Sequence, residues 1–367
     1  MRTTFAMLAV VAGVTTSVQA QQRAWQPEIG FQAGYSQMKP AGTGVDDKNT
    51  FIMLPGVSTI VPVLTYGSLY AIIPWSNKVA VEPTLGFSQF TLIGGATSAR
   101  IGARINYALT PKFYGAAGGV LNYFSSGGTS GTQFGAQLGL GYRLKLTQSL
   151  NGRIEAQWVT TQNSDNVSGP FNAYSVLLGV STPLSSRSAA PARAARGAST
   201  SVWTRSLGIS GGYSQVHLTG AGDVVFLSAP GIGTSLGSLD IYAPGPPVLF
   251  AIFPVGRKIA IEPGLDIASI DQGGGASLGA TVSARLNYAV TKGWYGAVGG
   301  QLAHVAPSGG TSASVVGAGV AWGNRFRLTS NLGGRVELNY LMFPNNTDVG
   351  SAANTFSVLF GLMMPLR

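Results

Sequence analysis

The sequence predicts an all-β protein, a transmembrane antiparallel up-and-down β-barrel arranged as two tandem eight-stranded barrels, with one sixteen-stranded barrel as the alternative. Three observations carry that prediction. Apolar and polar residues alternate with period two between tight turns, charge is scarce, and the chain passes through the same landmarks twice. The alternation is plainest at 103–119, ARINYALTPKFYGAAGG, and at 284–300, ARLNYAVTKGWYGAVGG. In each stretch an alternating segment enters a short polar turn and leaves through an aromatic-small segment. A hairpin with one polar and one apolar face needs that pattern.

Composition narrows the class. Only 10% of the 367 residues are charged while 45% are hydrophobic, against roughly 25% charged in soluble globular proteins. The 52 glycines argue against a mainly helical fold, because glycine weakens helix interiors. Little charge is left to coat a soluble core, so much of the outer surface is expected to face something other than water. At this charge density the formal net charge of +10 is a mild bias toward anionic surfaces, and no nucleic-acid partner is expected. The chain has no cysteine and therefore no disulfide framework or thiolate chemistry.

Residues 1–20 have the form of a secretory signal peptide: Arg2, an apolar stretch from Phe5 to Val14, and Val18-Gln19-Ala20 as the cleavage site. No later segment offers the ~18 uninterrupted apolar residues of a membrane helix. The nearest, 52–75 and 241–256, are broken by prolines and glycines.

The landmarks that recur fix the organisation. GYSQ at 34–37 returns at 212–215, and KVAVEP at 78–83 returns as KIAIEP at 258–263. LNGRIE at 150–155 returns as LGGRVE at 332–337, and YSVLLGVSTPL at 174–184 as FSVLFGLMMPL at 356–366. The offset drifts from 178 to 182, as small loop insertions between fixed strands would make it. One barrel repeat is thus expected over 21–184 and a second over 203–367. Between them 185–202, rich in Arg, Ala and Ser, reads as a periplasmic linker.

Eight strands are predicted in the first repeat, near 27–38, 68–75, 78–91, 97–109, 113–124, 133–147, 151–161 and 171–183. Tight turns alternate with longer polar loops at 39–67, 92–96, 125–132 and 162–170, and the second repeat places its first loop at 216–247. Short turns at one end and long loops at the other is the layout of outer-membrane barrels. Parity then assigns the faces. Val79, Val81, Leu85 and Phe87 oppose Lys78, Glu82 and Thr84; Leu138, Leu140 and Tyr142 oppose Gln137, Gly139 and Arg143. Bulky apolar residues facing lipid and small or charged residues filling a narrow lumen fit this better than a soluble sandwich. Trp75, Tyr107, Phe113, Tyr114, Tyr142, Trp158, Tyr288, Trp294, Tyr295 and Trp322 are expected in the interfacial girdles.

The same parity puts ten charges inside: Glu82, Arg104, Arg143, Arg153 and Glu155 in the first repeat, and Glu262, Arg285, Arg325, Arg335 and Glu337 in the second. Buried charges need partners, so Glu–Arg networks across the lumen are expected. They read first as structural filling that holds the barrel shut, and second as an ion-selective constriction. Catalysis has little support. His217 and His304 are the only histidines and both lie in the second repeat, so a duplicated histidine-dependent site is excluded. No metal-ligand or nucleotide-binding spacing is present, and no catalytic, cofactor or metal residues are expected.

Taken together, GYSQ, KVAVEP, the ARINYAL turn into YGAAGG, GYRLKL at 141–146, LNGRIE and YSVLLGVSTPL resemble the small outer-membrane β-barrel domains of the OmpA/OmpX/opacity-protein type. The resemblance spans nearly all of each repeat and rests on architectural motifs. It implies an eight-stranded barrel in a Gram-negative type envelope. Its partners would be outer-membrane lipid and, during biogenesis, the outer-membrane assembly machinery with periplasmic chaperones. Two departures stand out: the family has one barrel per chain, and its barrels commonly end in an aromatic residue where this chain ends Pro365-Leu366-Arg367. The expectation is an integral outer-membrane protein, not an enzyme, with a structural, adhesive or surface-interaction role whose surface ligand the sequence does not name. The alternative is a general diffusion porin formed by a single sixteen-stranded barrel.

Overall fold

The structure is a computed structural model that describes residues 24–40, 49–53, 67–91, 95–162, 170–184, 201–219, 222–228, 230, 246–271, 275–344 and 352–366. The expected signal peptide, most of the expected linker and most of the expected long loops lie outside the described residues. The first unit comprises Glu28–Pro40 (β1), Asn49–Met53 (β2), Leu69–Pro74 (β3), Val79–Phe90 (β4), Ala96–Ala108 (β5), Phe113–Ser126 (β6), Thr129–Lys145 (β7), Asn151–Thr161 (β8) and Phe171–Pro183 (β9). The second comprises Ser206–Leu218 (β10), Gly222–Ser228 (β11), Leu249–Pro254 (β12), Ile259–Asp271 (β13), Ala276–Ala289 (β14), Trp294–Ala306 (β15), Ala313–Arg327 (β16), Gly333–Phe343 (β17) and Ala353–Pro365 (β18). The all-β antiparallel fold is as the alternation predicts.

Four of the short turns share one device. A threonine or serine at the second turn position turns its hydroxyl back to accept backbone N–H groups two and three residues on. Thr110 accepts from Lys112 (3.2 Å) and Phe113 (2.9 Å), Thr291 from Gly293 (3.2 Å) and Trp294 (3.0 Å). Thr147 and Ser76 do the same in their turns. A hydroxyl that replaces missing ladder bonds fixes turn length, and turn length fixes strand register. At the other end of the first unit, 125–132 was expected as a loop. It contracts to Gly127-Gly128, with φ of 58° and 84°, between Ser126 and Thr129. Two adjacent positive φ values match the strand twist in a two-residue hairpin, and glycine adopts them without strain.

At the short-turn end each unit closes on itself. β1 pairs with β9 over thirteen residues, and its first four residues pair with β3, completing an eight-stranded ring through β4 to β8. β10 likewise pairs with β18 and with β12. The long-loop end differs, because β2 and β11 fall inside the expected loops 39–67 and 216–247. β2 pairs with β1 on one side and with β13 of the second unit on the other, Ile52 facing Ser269. Reciprocally, β11 pairs with β10 and with β4 of the first unit, Leu227 facing Gln89. Hydrogen bonding there runs around both units in one closed sheet. The chain therefore combines the two architectures that the sequence offered, separate rings below and a shared rim above.

Burial follows parity with the sense a lipid-facing barrel requires. β5 alternates buried and exposed residues along most of its length, and its exposed set is Ile101, Ala103, Ile105 and Tyr107. Phe134, Leu138 and Leu140 on β7 and Val316, Val320 and Trp322 on β16 stand exposed in the same way. Their buried neighbours include Gln137 and Arg153. Where outward residues are buried, they are buried against the other unit. Phe31, Leu150, Ile209, Val248, Leu332 and Met364 form one cluster between the rings. Thr182 Oγ1 lies 2.9 Å from the Asn331 carbonyl, Asn331 Nδ2 donates to the Pro183 carbonyl at 3.4 Å, and Ser149 Oγ donates to the Pro365 carbonyl.

Candidate functional site

Each lumen is crossed by a four-residue ion network at the same place in the two units. In the first, Glu82 and Arg104 face each other across β4 and β5, and Arg153 and Glu155 reach in from β8. Arg104 binds Glu155 through both amino groups (2.5 and 2.6 Å) and Glu82 through one (2.8 Å). Arg153 closes the set on Glu82 at 2.8 Å. All four side chains are at most 4% exposed. Asn106 donates to Glu82 at 2.7 Å, Tyr114 to Glu155 at 2.5 Å, and Arg153 also to Gln32.

In the second unit Arg285 binds Glu337 with two bonds of 2.6 Å and Glu262 at 2.7 Å. Arg335 reaches Glu262 at 2.8 Å, Asn287 donates to Glu262 at 2.9 Å, and Tyr295 donates to Glu337 at 2.6 Å. Two arginines and two carboxylates balance in charge, and amide and phenol donors occupy further carboxylate lone pairs. Such pairing is what makes charge tolerable in a medium of low dielectric. Glycine provides the room. A Cβ on Gly179 would lie 2.7 Å from Arg153 Cγ, and one on Gly361 2.7 Å from Arg335 Cγ.

A second layer closes the short-turn mouth of each ring. Trp25, ahead of β1, packs edge-on against Tyr114 (5.3 Å between centroids) and donates Nε1 to the Lys78 carbonyl at 3.0 Å. Trp203, ahead of β10, repeats this on Tyr295 (5.4 Å) and the Lys258 carbonyl (2.9 Å). A guanidinium caps each indole, Arg143 at 4.7 Å from the Trp25 ring and Arg325 at 3.6 Å from the Trp203 ring. A cation over an indole face is a favourable contact, strengthened when both are partly desolvated.

Of the ten lumen charges read from the sequence, eight form the two networks. Arg143 and Arg325 belong to the mouths instead. Arg143 pairs with Glu28, which also accepts from Asn151 (3.1 Å) and Ser181 (2.6 Å). At the equivalent of Glu28 the second unit has Ser206, and Arg325 makes no ion pair among the described residues, bonding the Lys292 carbonyl at 3.3 Å. Two residues expected in the aromatic girdle are inside. Tyr114 and Tyr295 are each 1% exposed because, one step on from Phe113 and Trp294, the pleat turns them inward. Gly141 and Gly323 accommodate their rings, with any Cβ there only 2.2 and 2.5 Å from the tyrosine Cζ. Sequence reasoning also missed Trp25 and Trp203, although they recur at the same offset as the GYSQ landmark.

The lumens differ above the networks. Arg100, buried in the first, reaches Asn122 (3.4 Å) and Gln137 (3.3 Å). The matching positions of the second unit, by cross-strand register, are Thr281 and Gly319. A cavity of about 40 Å³ lies there, bordered by Glu262, Arg285, Gln301, Gly319 and Asn339, with glycine at 319 leaving the room that Gln137 takes in the first unit. It is large enough for a few waters at roughly 10–15 Å³ each. Beyond it an apolar cluster of Val216, Val224, Phe226, Val315, Leu341 and Phe343 fills the lumen.

The two histidines do not share a centre. His217 Nδ1 lies 2.6 Å from Asp223 across β10 and β11, and His304 Nδ1 2.9 Å from Ser314 across β15 and β16. Among the described residues no group of three His, Asp or Glu side chains could hold a metal ion.

No family model and no curated protein matches the chain. Solved structures do resemble it in outline. A monoaromatic hydrocarbon channel, CymD, is 9% identical over 95% of this chain and 90% of its own, with a TM-score of 0.29. A Pseudomonas aeruginosa FadL homologue is 7% identical over 93% and 91%, TM-score 0.28. A loop-deletion mutant of OmpT, an outer membrane protein of Vibrio cholerae, is 8% identical over 92% and 98%, TM-score 0.26. At these scores the likenesses say nothing about what this chain does.

Proposed function

We propose that the chain is an integral outer-membrane protein made of two OmpA/OmpX-like barrel units in tandem, exported by its N-terminal signal peptide. Its role is structural, adhesive or surface-interacting, without catalysis, and its lumens are closed to solutes. The observation that carries the reading is the double seal in each ring, a balanced Glu–Arg network with an indole-capped mouth beneath it. The apolar outer face supports the membrane location: antiparallel strands whose exposed residues are Ile, Leu, Val, Phe and Tyr are stable in lipid once no edge is left unpaired.

The second reading is a sixteen-stranded porin, favoured by the hydrogen bonding that runs around both units at the long-loop end. The buried polar residues of both lumens oppose it. A wide aqueous pore would leave such side chains exposed, whereas Gln137, Gln157 and Asn339 are 6% exposed or less. Planar-bilayer recording of the purified protein separates the two. The closed reading expects no stable large conductance steps, and their regular appearance in proportion to inserted protein would establish the porin.

A further inference from the structure

The six short turns share a composition that neither fold nor sealing requires. Each places a large apolar residue at the membrane edge: Trp75, Leu109, Leu146, Val255, Val290 and Leu328, all exposed. Beside each stands at least one exposed cation, in turn order Lys78, Lys112, Lys145, Arg257 with Lys258, Lys292 and Arg327. None of the seven makes an ion pair among the described residues. The acid closest to this end, Glu28, is turned into the lumen onto Arg143. At the opposite end the described charges are of both signs, including Lys39, Asp223 and Asp271.

A barrel needs turns, and solubility of a turn is served by either sign of charge. Cations in all six turns, each near an exposed apolar side chain, fit a surface that offers hydrocarbon and anionic oxygen within one side-chain length. The boundary of a bilayer containing anionic phospholipid is such a surface, and the flexible stems of Lys and Arg carry charge from the apolar edge to the phosphate level. We propose that the short-turn rim is an anionic-phospholipid binding ring, in which the apolar turn residue seats in the acyl boundary and the neighbouring cation binds a headgroup phosphate. The inference rests on the membrane-spanning reading above.

The test uses the full chain in vesicles of phosphatidylcholine alone or with a minority of phosphatidylglycerol. Flotation with either vesicle reports membrane insertion, and mass spectrometry of the lipid retained on the extracted protein reports selectivity. The ring expects phosphatidylglycerol to be enriched over its bulk fraction, with the enrichment falling as salt rises. Each cation changed to glutamine, as in Lys112→Gln or Arg327→Gln, is expected to lower apparent affinity at its turn by about fivefold, since a basic residue near an anionic surface is worth about 1 kcal/mol. Lys→Arg changes retain it. A floated protein that keeps both lipids in bulk proportion, at low salt and without mutation, overturns the ring. Equal competition by inorganic phosphate would also overturn it, by making the site one for free anions. Failure to float with either vesicle removes the membrane reading itself.

Discussion

At the residue scale the lumen charges behave as sets and not as pairs. Arg104 holds two carboxylates, Glu82 is shared by Arg104 and Arg153, and the set sums to zero. Removing one arginine leaves a net negative charge with no water to solvate it. Breaking such a buried network costs about 3–5 kcal/mol, while removing opposite charges together costs less. Arg104→Met is therefore expected to lower the unfolding free energy in urea by about that amount. Arg104→Met combined with Glu155→Gln should cost less than the two single changes added together. Simple additivity would mean that the residues do not act as a network. Parity exposed most of this set in the sequence, since Glu82 and Arg104 occupy the polar phase of alternating strands. Glu28 escaped because it has no counterpart in the second unit, and Tyr114 because an aromatic beside a turn suits a girdle equally well.

At the element scale the decisive strands are two short ones that lie outside the eight-stranded rings. NTFIM of β2 and GDVVFLS of β11 each have one partner in their own unit and one in the other. Nothing local marks β2 as a strand, because the β13 segment that completes its pairing lies more than two hundred residues away in sequence. The exchange can be trapped in a protein without cysteine. Ile52→Cys with Ser269→Cys, and Leu227→Cys with Gln89→Cys, place thiols at cross-strand neighbours within disulfide reach. Oxidation of the folded protein should give a fast-migrating internally linked chain from each pair. If neither pair links while folding is intact, each rim closes on itself and the shared rim is wrong.

For the whole molecule in the membrane setting proposed above, the question is what holds two rings side by side. Burying Phe31 and Ile209 gains little there from the hydrophobic effect, because acyl chains are as apolar as the side chains. Packing and hydrogen bonding must supply the cohesion. The bonds from Ser149, Thr182 and Asn331 tie the short-turn ends together, and the exchanged strands tie the long-loop ends. Separating the units would open four strand edges, each with backbone groups unpaired in hydrocarbon. A protease site placed in the 185–202 linker tests this. After cleavage the two halves are expected to co-elute in mild detergent as one species, and independent elution would show that the linker alone joins them.

The sequence by itself determined the sixteen ring strands, their short turns and the inward face of most of them, because these depend on period-two alternation and on residues a few positions apart. It also determined that charge would lie inside and bulk outside, since 10% charged residues cannot clothe a water-exposed surface of this size. Only the tertiary structure decided how the sixteen ring strands close. Closure is a contest between pairings of equal local merit, and β2 finds its second partner in the other unit for reasons of space that no local pattern records. The same holds for the mouths, where Trp25 and Trp203 lie ahead of the first strands and meet Tyr114 and Tyr295 only once the rings have closed. It holds too for the cavity beside Arg285, where Gly319 stands at the position that Gln137 fills in the first unit.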